Sequence, residues 1–297
     1  MKTVQIGSAT LIRGDALRAL ATLPDDSVDL VLADPPYGTT NCAWDAVIPL
    51  DRMWRELERV TRPGASIVMT ASQPFTTALI ASNLHAFKYC WVWEKRKATG
   101  HLNCHKAPMR AHEDVVVFAL PGPRTYNPQG LVPHPSPRMQ APRLGSIYNS
   151  ATRRTLWDRT NYPRSMLRFD NDRGGSNQGL HPTQKPVALM EYLVRTYTHE
   201  GETVLDFTMG SGTTGVACER AGRRFIGIEL DPTYYRLACA RLRAAAAGAD
   251  VHGRTGVGQK LRPRRKVRGD QARVPVRLAG LFGVVRAAQK SRAAGER

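Results

Sequence analysis

Thr203-Val204-Leu205-Asp206-Phe207-Thr208-Met209-Gly210-Ser211-Gly212-Thr213-Thr214-Gly215 reads as strand, glycine turn, helix. A short β-branched and apolar run ends in an acid. Gly210, Gly212 and Gly215 then follow at the spacing G-x-G-x-x-G, in which absent side chains let a ligand approach the backbone at a helix N-terminus. The next apolar run, Arg224-Phe225-Ile226-Gly227-Ile228, ends at Glu229, 14 residues after Gly215. An acid at the end of that second strand is placed to accept both hydroxyls of a ribose. Such a unit belongs to an α/β protein with a Rossmann-like, doubly wound, mostly parallel sheet.

Outward from this unit, strand and helix signals alternate. Apolar and β-branched runs mark strands at 9–13, 28–33, 66–70, 89–93, 115–119, 203–206 and 224–228. Met53, Trp54, Leu57 and Val60 recur at helical spacing within 50–60, as do Leu189, Met190, Leu193, Val194 and Tyr197 within 186–198. Those side chains are expected in the core. With 297 residues, 42% of them apolar, the chain can bury one sizeable α/β core and carry an inserted or appended region. Residues 120–178 break the rhythm, being rich in proline and holding nine arginines against three acids, Asp158, Asp170 and Asp172. A long irregular segment in a globular enzyme is functional or disordered. From His252 onward, 13 basic and two acidic residues contribute +11 of the total charge of +18. Low hydrophobicity there predicts a disordered, phosphate-binding arm.

At the end of the apolar stretch 28–33 stands Asp34-Pro35-Pro36-Tyr37. Proline lacks an N–H and fixes its own φ, and it pushes the preceding residue into an extended conformation, so the carbonyls of Asp34 and Pro35 are held outward as acceptors. Acceptors that grip an exocyclic NH2 group, with a tyrosine stacked on the attached ring, describe a pocket for an extruded nucleobase. A proline-rich turn after a strand would read the same way in isolation.

Three motifs together resemble the DNA amino-methyltransferases, which methylate exocyclic nitrogens with S-adenosylmethionine. The likeness covers roughly the first 245 residues. Asp34 to Tyr37 is similar to the family's catalytic tetrapeptide, and Asp206 to Thr214 to its cofactor loop. His181-Pro182-Thr183-Gln184-Lys185-Pro186 is similar to the segment that leads into that loop. Catalytic motif first and cofactor loop last is the order of the beta group. The resemblance implies catalytic roles for Asp34, Pro35, Pro36 and Tyr37. It implies cofactor contacts for Asp15 (beside the adenine), Lys185 (on the carboxylate), Asp206, Phe207, Gly210, Gly212, Thr213 and Glu229. The family usually writes proline and then phenylalanine after the acid of the loop, whereas here Phe207 follows Asp206 directly, so the ring is displaced by one place. An aspartate at the head of the tetrapeptide is commoner in adenine-N6 enzymes and a serine in cytosine-N4 ones, which favours adenine, with cytosine-N4 as the alternative.

The resemblance also implies an organisation: a catalytic half over 1–119, a target-recognition insertion over 120–178, a cofactor-binding half over 179–247 and a basic tail over 248–297. Lys95, Arg96, Arg110, Arg153 and Arg154 are the candidate DNA contacts. The aromatics Tyr126, Tyr148, Trp157 and Tyr162 are candidates to fill the gap left by a flipped base. A charge of +18 calls for a polyanionic partner, here double-stranded DNA. Five cysteines without paired spacing and no apolar leader point to the cytoplasm. No apolar run approaches the ~18 residues a membrane helix needs. His101, Cys104 and His105 lack a second pair at finger-like spacing, so no metal is expected. No Pro-Cys nucleophile motif is present, which excludes the covalent route to the cytosine ring carbon. A nicotinamide oxidoreductase would use the glycine turn and Glu229 but leaves the tetrapeptide and the basic charge idle. A DNA-binding relative without catalysis would not need Asp34. A homodimer and a companion restriction endonuclease are left open by the residues.

Overall fold

The computed structural model describes residues 1–39, 45–140, 155–170 and 184–249. Strands β1 (Lys2–Ile6) and β2 (Ala9–Arg13) lead into the short helix α1 (Ala16–Leu20), and β3 (Val28–Ala33), α2 (Leu50–Val60), β4 (Thr61–Ala71) and α3 (Phe75–Ser82) follow. A long hairpin of β5 (Phe87–Thr99) and β6 (Arg110–Ala119) comes next, then β7 (Val132–Gln140), β8 (Thr155–Thr160) and β9 (Met166–Arg168). The chain returns through α4 (Val187–Tyr197), β10 (Thr203–Asp206), α5 (Thr213–Ala221), β11 (Arg224–Glu229) and α6 (Pro232–Ala246).

Nine strands form one sheet in the order β1-β2-β11-β10-β3-β4-β6-β5-β9. The run from β2 to β4 is parallel throughout, while β1, β6 and β5 pair antiparallel. Parallel central strands are buried on both faces and read as continuous apolar runs, as β3 does. Its successive side chains go to opposite sides. Leu30 and Leu32 join Val204 in the core under α4, α5 and α6, while Val31 and Ala33 join Leu205 in the core under α1, α2 and α3. The doubly wound, three-layered arrangement expected from the glycine unit is therefore present.

Local chemistry sets the helix ends. Asp231 accepts hydrogen bonds from the N–H groups of Thr233 and Tyr234, with Pro232 at the first helical position of α6. Helix α5 opens at Gly212 (φ 78°) and closes at Gly222 (φ 70°), both left-handed. In α2 the apolar stripe Met53, Trp54, Leu57, Val60 is buried as its spacing predicts.

The described parts of 120–178 hold more strand than their composition suggested. β7 and β8 form a separate antiparallel ribbon, and β9 adds a parallel edge strand to β5, burying Leu167 to 1% exposure. Prolines 133, 135 and 137 hid the ribbon, since proline is confined to edge or bulged positions of a sheet. The basic tail expected beyond residue 250 lies outside the described residues. Among the described residues no helix is long and apolar enough to cross a membrane.

Candidate active site

β3 and β10 lie side by side, with Leu30 opposite Val204 and Val31 opposite Leu205. Each strand then releases its loop at the same edge of the sheet, the place where open α/β folds bind ligands. Asp34 to Tyr37 from one loop and Asp206 to Ser211 from the other line a single cavity of about 880 Å³. That volume falls within the range of small-molecule sites.

At the tetrapeptide end, Asp34 is a hub. Tyr37 donates its hydroxyl to Asp34 Oδ1 at 2.7 Å, and Thr70, at the end of β4, donates to the same oxygen at 2.5 Å. Lys185 Nζ reaches Asp34 Oδ2 at 2.7 Å and Glu113 Oε2 at 3.3 Å. Lys185 was expected on the cofactor's carboxylate; its ammonium is instead engaged by these two protein carboxylates. Burial pulls against that ammonium, but the charges of Asp34 and Glu113 outweigh it and hold Lys185 above its ordinary pKa. Tyr37 is stacked on Phe75, with ring centroids 5.4 Å apart. Burial, then the Asp34 and Glu113 carboxylates, push its phenol well above the ordinary value, so it remains a donor. Asp45 closes the loop behind the tetrapeptide by accepting the N–H groups of Gly38 and Thr39, each at 2.9 Å.

At the glycine end, Glu229 ties the loop to the sheet. Its two oxygens accept the N–H of Gly210 at 2.9 Å and of Asp231 at 2.7 Å, and the Leu230 N–H also bears on the carboxylate. Asp206 accepts from the Thr214 hydroxyl at 2.6 Å and from the Thr208 N–H at 3.1 Å. Arg241, reaching from α6, donates to the Ser211 carbonyl at 2.6 Å, and to the hydroxyls of Ser211 and Thr213 at 2.9 and 3.2 Å. Phe207 is buried at 1% exposure in the core under α1 to α3, and it also forms part of the cavity wall. Asp15 caps α1 through the Arg18 N–H and lies at the cavity rim.

The family model for DNA methylases of the N6/N4 type matches residues 28–240. The chain belongs to this family. M.HpaI, a type II methyltransferase of Haemophilus parainfluenzae, is 28% identical over 256 residues, covering 81% of this chain and 76% of that protein. The DNA adenine methyltransferase YhdJ of Escherichia coli K12 is 28% identical over 257 residues, covering 80% and 83%. Among solved structures, the Thermus thermophilus DNA modification methylase TTHA0409 in complex with S-adenosylmethionine superimposes with a TM-score of 0.53 at 25% identity, covering 80% of this chain and 96% of that one. The cytosine-N4-specific PvuII methyltransferase shares the fold, with a TM-score of 0.58 at 17% identity over 80% and 87% of the two chains.

The methylase family uses S-adenosylmethionine, and the cavity fits that group. Burial pushes the Asp206 carboxyl up to about 7; the Thr214 and Thr208 bonds oppose the shift, and the like charges of Asp34 and Glu229 add to it. A cavity wall that holds the carboxyls of Asp206 and Glu229 suits a ligand that carries a sulfonium and an ammonium. Glu229, also raised by burial, ends β11 at the cavity wall.

In the methylase, the expected DNA contacts fall into three groups. Arg96 and Arg110 are exposed on the β5–β6 hairpin, and Arg96 lies 3.5 Å from Asp170. Lys95 is buried instead, 3.1 Å from Glu113, because strand alternation turns it inward between half-buried Glu94 and exposed Arg96. Arg153, Arg154 and Tyr148 lie outside the described residues. Tyr126 packs against the Tyr197 ring at 6.2 Å and is anchored to the core, while Trp157 sits under Arg138 at 5.9 Å on the ribbon and Tyr162 is 58% exposed. Thr70, Glu113 and Arg241 were not singled out from the sequence, yet all bond to or line the site, and Gln184, from the His181 to Pro186 motif, accepts from Ser211 at 3.2 Å. Glu113 was discoverable in principle, since the strand of Val115 to Ala119 extends back through it by alternation.

Proposed function

We propose that the enzyme transfers a methyl group from S-adenosylmethionine to the exocyclic N6 amine of adenine in double-stranded DNA, after the base is turned out of the helix. The observation that carries this reading is the convergence of Asp34 and the glycine loop on one cavity. When bound, S-adenosylmethionine supplies a methyl group on a positively charged sulfur, which leaves as a neutral thioether. Extrusion of the base costs a few kcal/mol. The Tyr37 ring, backed by Phe75 and fixed through its hydroxyl, offers the stacking surface. The free lone pair of Asp34 Oδ2 and the Pro35 carbonyl accept the two amine hydrogens, which draws the nitrogen lone pair out of ring conjugation. Positioning and electrostatics then supply most of the rate. The proton shed by the methylated nitrogen passes to Asp34 and on to water.

Arg96, Arg110, Arg153 and Arg154 are proposed to contact DNA, with the β7–β8 ribbon and its Arg138–Trp157 pair as part of the target-recognition region. The name of M.HpaI as a type II methyltransferase supports a companion restriction endonuclease for this enzyme, whose place of action is proposed to be the cytoplasm. Sedimentation of the free protein separates a monomer from a homodimer.

Unmethylated DNA treated with enzyme and S-adenosylmethionine, digested and analysed by mass spectrometry, should yield N6-methyl-2′-deoxyadenosine. N4-methyl-2′-deoxycytidine alone would overturn the choice of base, and no methylated nucleoside would overturn the activity. Asp34→Ala should lower kcat by about 10²–10⁴-fold. Calorimetry should show cofactor affinity within about twofold of the parent, since the change removes an interaction made with the amine.

A further inference from the structure

Behind the catalytic carboxylate runs a row of charges that the reaction as described does not use. Asp34, Lys185, Glu113 and Lys95 alternate in sign, with contacts of 2.7, 3.3 and 3.1 Å. Their side chains are 26%, 7%, 17% and 6% exposed, so the two lysines are nearly dry while the two carboxylates keep more access. They come from four separate places: the loop after β3, the approach to α4, β6 and β5. All four line the cavity.

A buried cation is costly unless its partners surround it. Asp34 offers Lys185 one carboxylate, but that carboxylate must also receive the substrate. Tyr37 and Thr70 occupy Oδ1, so Oδ2 takes Lys185 on one lone pair and has the other left for the amine. Which lone pair stays free depends on where the ammonium sits. Glu113 pairs with that ammonium through Oε2 at 3.3 Å and is itself held through Oε1 by Lys95, whose Nζ also lies 3.4 Å from the Thr99 hydroxyl.

We propose that Glu113 is a positioning residue for methyl transfer: backed by Lys95, it fixes Lys185 against one side of Asp34 Oδ2 and so aims the remaining lone pair of that oxygen at the target amine. This rests on the reading of Asp34 as the acceptor of that amine. It gives Lys185 a place in the chemistry of the base rather than in retention of the cofactor. The groups that face Lys185 are Asp34, Glu113, the Tyr37 ring at 5.6 Å, and Lys95 across Glu113. Removal of the Glu113 charge therefore disfavours the ammonium and lowers the pH at which Lys185 loses its proton.

The test compares the parent with Glu113→Gln, Glu113→Asp and the double variant Lys95→Met with Glu113→Gln, which removes both charges and leaves no buried cation orphaned at Lys95. In Glu113→Gln, kcat should fall about 10–100-fold, and the alkaline limb of the kcat–pH profile should move to lower pH. The KM for S-adenosylmethionine should stay within about twofold, and Glu113→Asp should restore part of both. The lysine side-chain NMR signal that Lys185→Met deletes should titrate at lower pH in Glu113→Gln with no cofactor or DNA present. Parent-like kcat and profile in both Gln variants, or an unmoved Lys185 titration, would overturn the proposal. So would a loss of activity matched by an equal loss of cofactor affinity. If the parent itself methylates no DNA, the reading of function fails, and the Lys185 titration still decides whether Glu113 holds that ammonium.

Discussion

Asp206 carries a consequence that can be measured without substrate. Its carboxyl, pushed up to about 7 from an ordinary 3.8, binds a proton more tightly in the folded protein than in the unfolded chain. The folded state is therefore favoured by protonation, and stability of the free protein should decline as pH rises from about 4 to about 7. Asp206→Asn should flatten that slope in urea titrations followed by fluorescence. Affinity for S-adenosylmethionine should change the other way, weakening as pH falls from about 8 to about 6, because the cationic ligand prefers the ionised carboxylate. Asp206→Asn should remove that dependence in calorimetry. At this scale the sequence disclosed Asp34, Tyr37, Asp206 and Glu229, because each ends or follows a strand and sits in a recognisable string. It hid Glu113, which lines the cavity from β6, and Thr70 and Arg241, which bond to wall residues from β4 and α6, through contacts that no local string encodes.

Among the elements, the glycine loop packs closely against helix α6. A Cβ added at Gly212, whose φ is +78°, would lie 3.0 Å from the Ala238 Cβ and 2.9 Å from the Leu242 side chain. Backbone strain and overpacking then act together, and Gly212→Ala should cost about 1–3 kcal/mol in denaturant unfolding. It should also raise the KM for the cofactor more than it lowers kcat, since the loop borders the cofactor end. Strands with continuous apolar runs were legible to within a few residues: β2, β3 and β10 match at both ends. β1 was not, since four of its five residues are not buried and its pattern carries little signal. Helix α3 was missed because Thr76, Thr77 and Ile80 are β-branched within a short segment. β9 was missed because its three residues bury one side chain and take their partner from β5, far away in sequence.

For the whole molecule, charge is the dominant property. A net +18 should make DNA affinity fall steeply with salt, by a slope of about 0.9 per phosphate neutralised on a log–log plot. Removal of residues 252–297 takes away +11 of that charge. The truncated enzyme should bind all DNA more weakly and with a shallower slope, while its preference among DNA sequences stays unchanged in competition assays. Equal slopes for the two forms would show that the tail neutralises no phosphate.

The adjacency of β3 and β10 makes the reaction centre a seam between pieces of chain that are made at different times. A polypeptide severed in the stretch ahead of Gln184 would leave Asp34 on one fragment and both Lys185 and the glycine turn on the other. Neither fragment would modify DNA, and association of the two would restore the mark. Fused to a pair of interacting proteins, the halves would write a heritable record of that encounter into a genome.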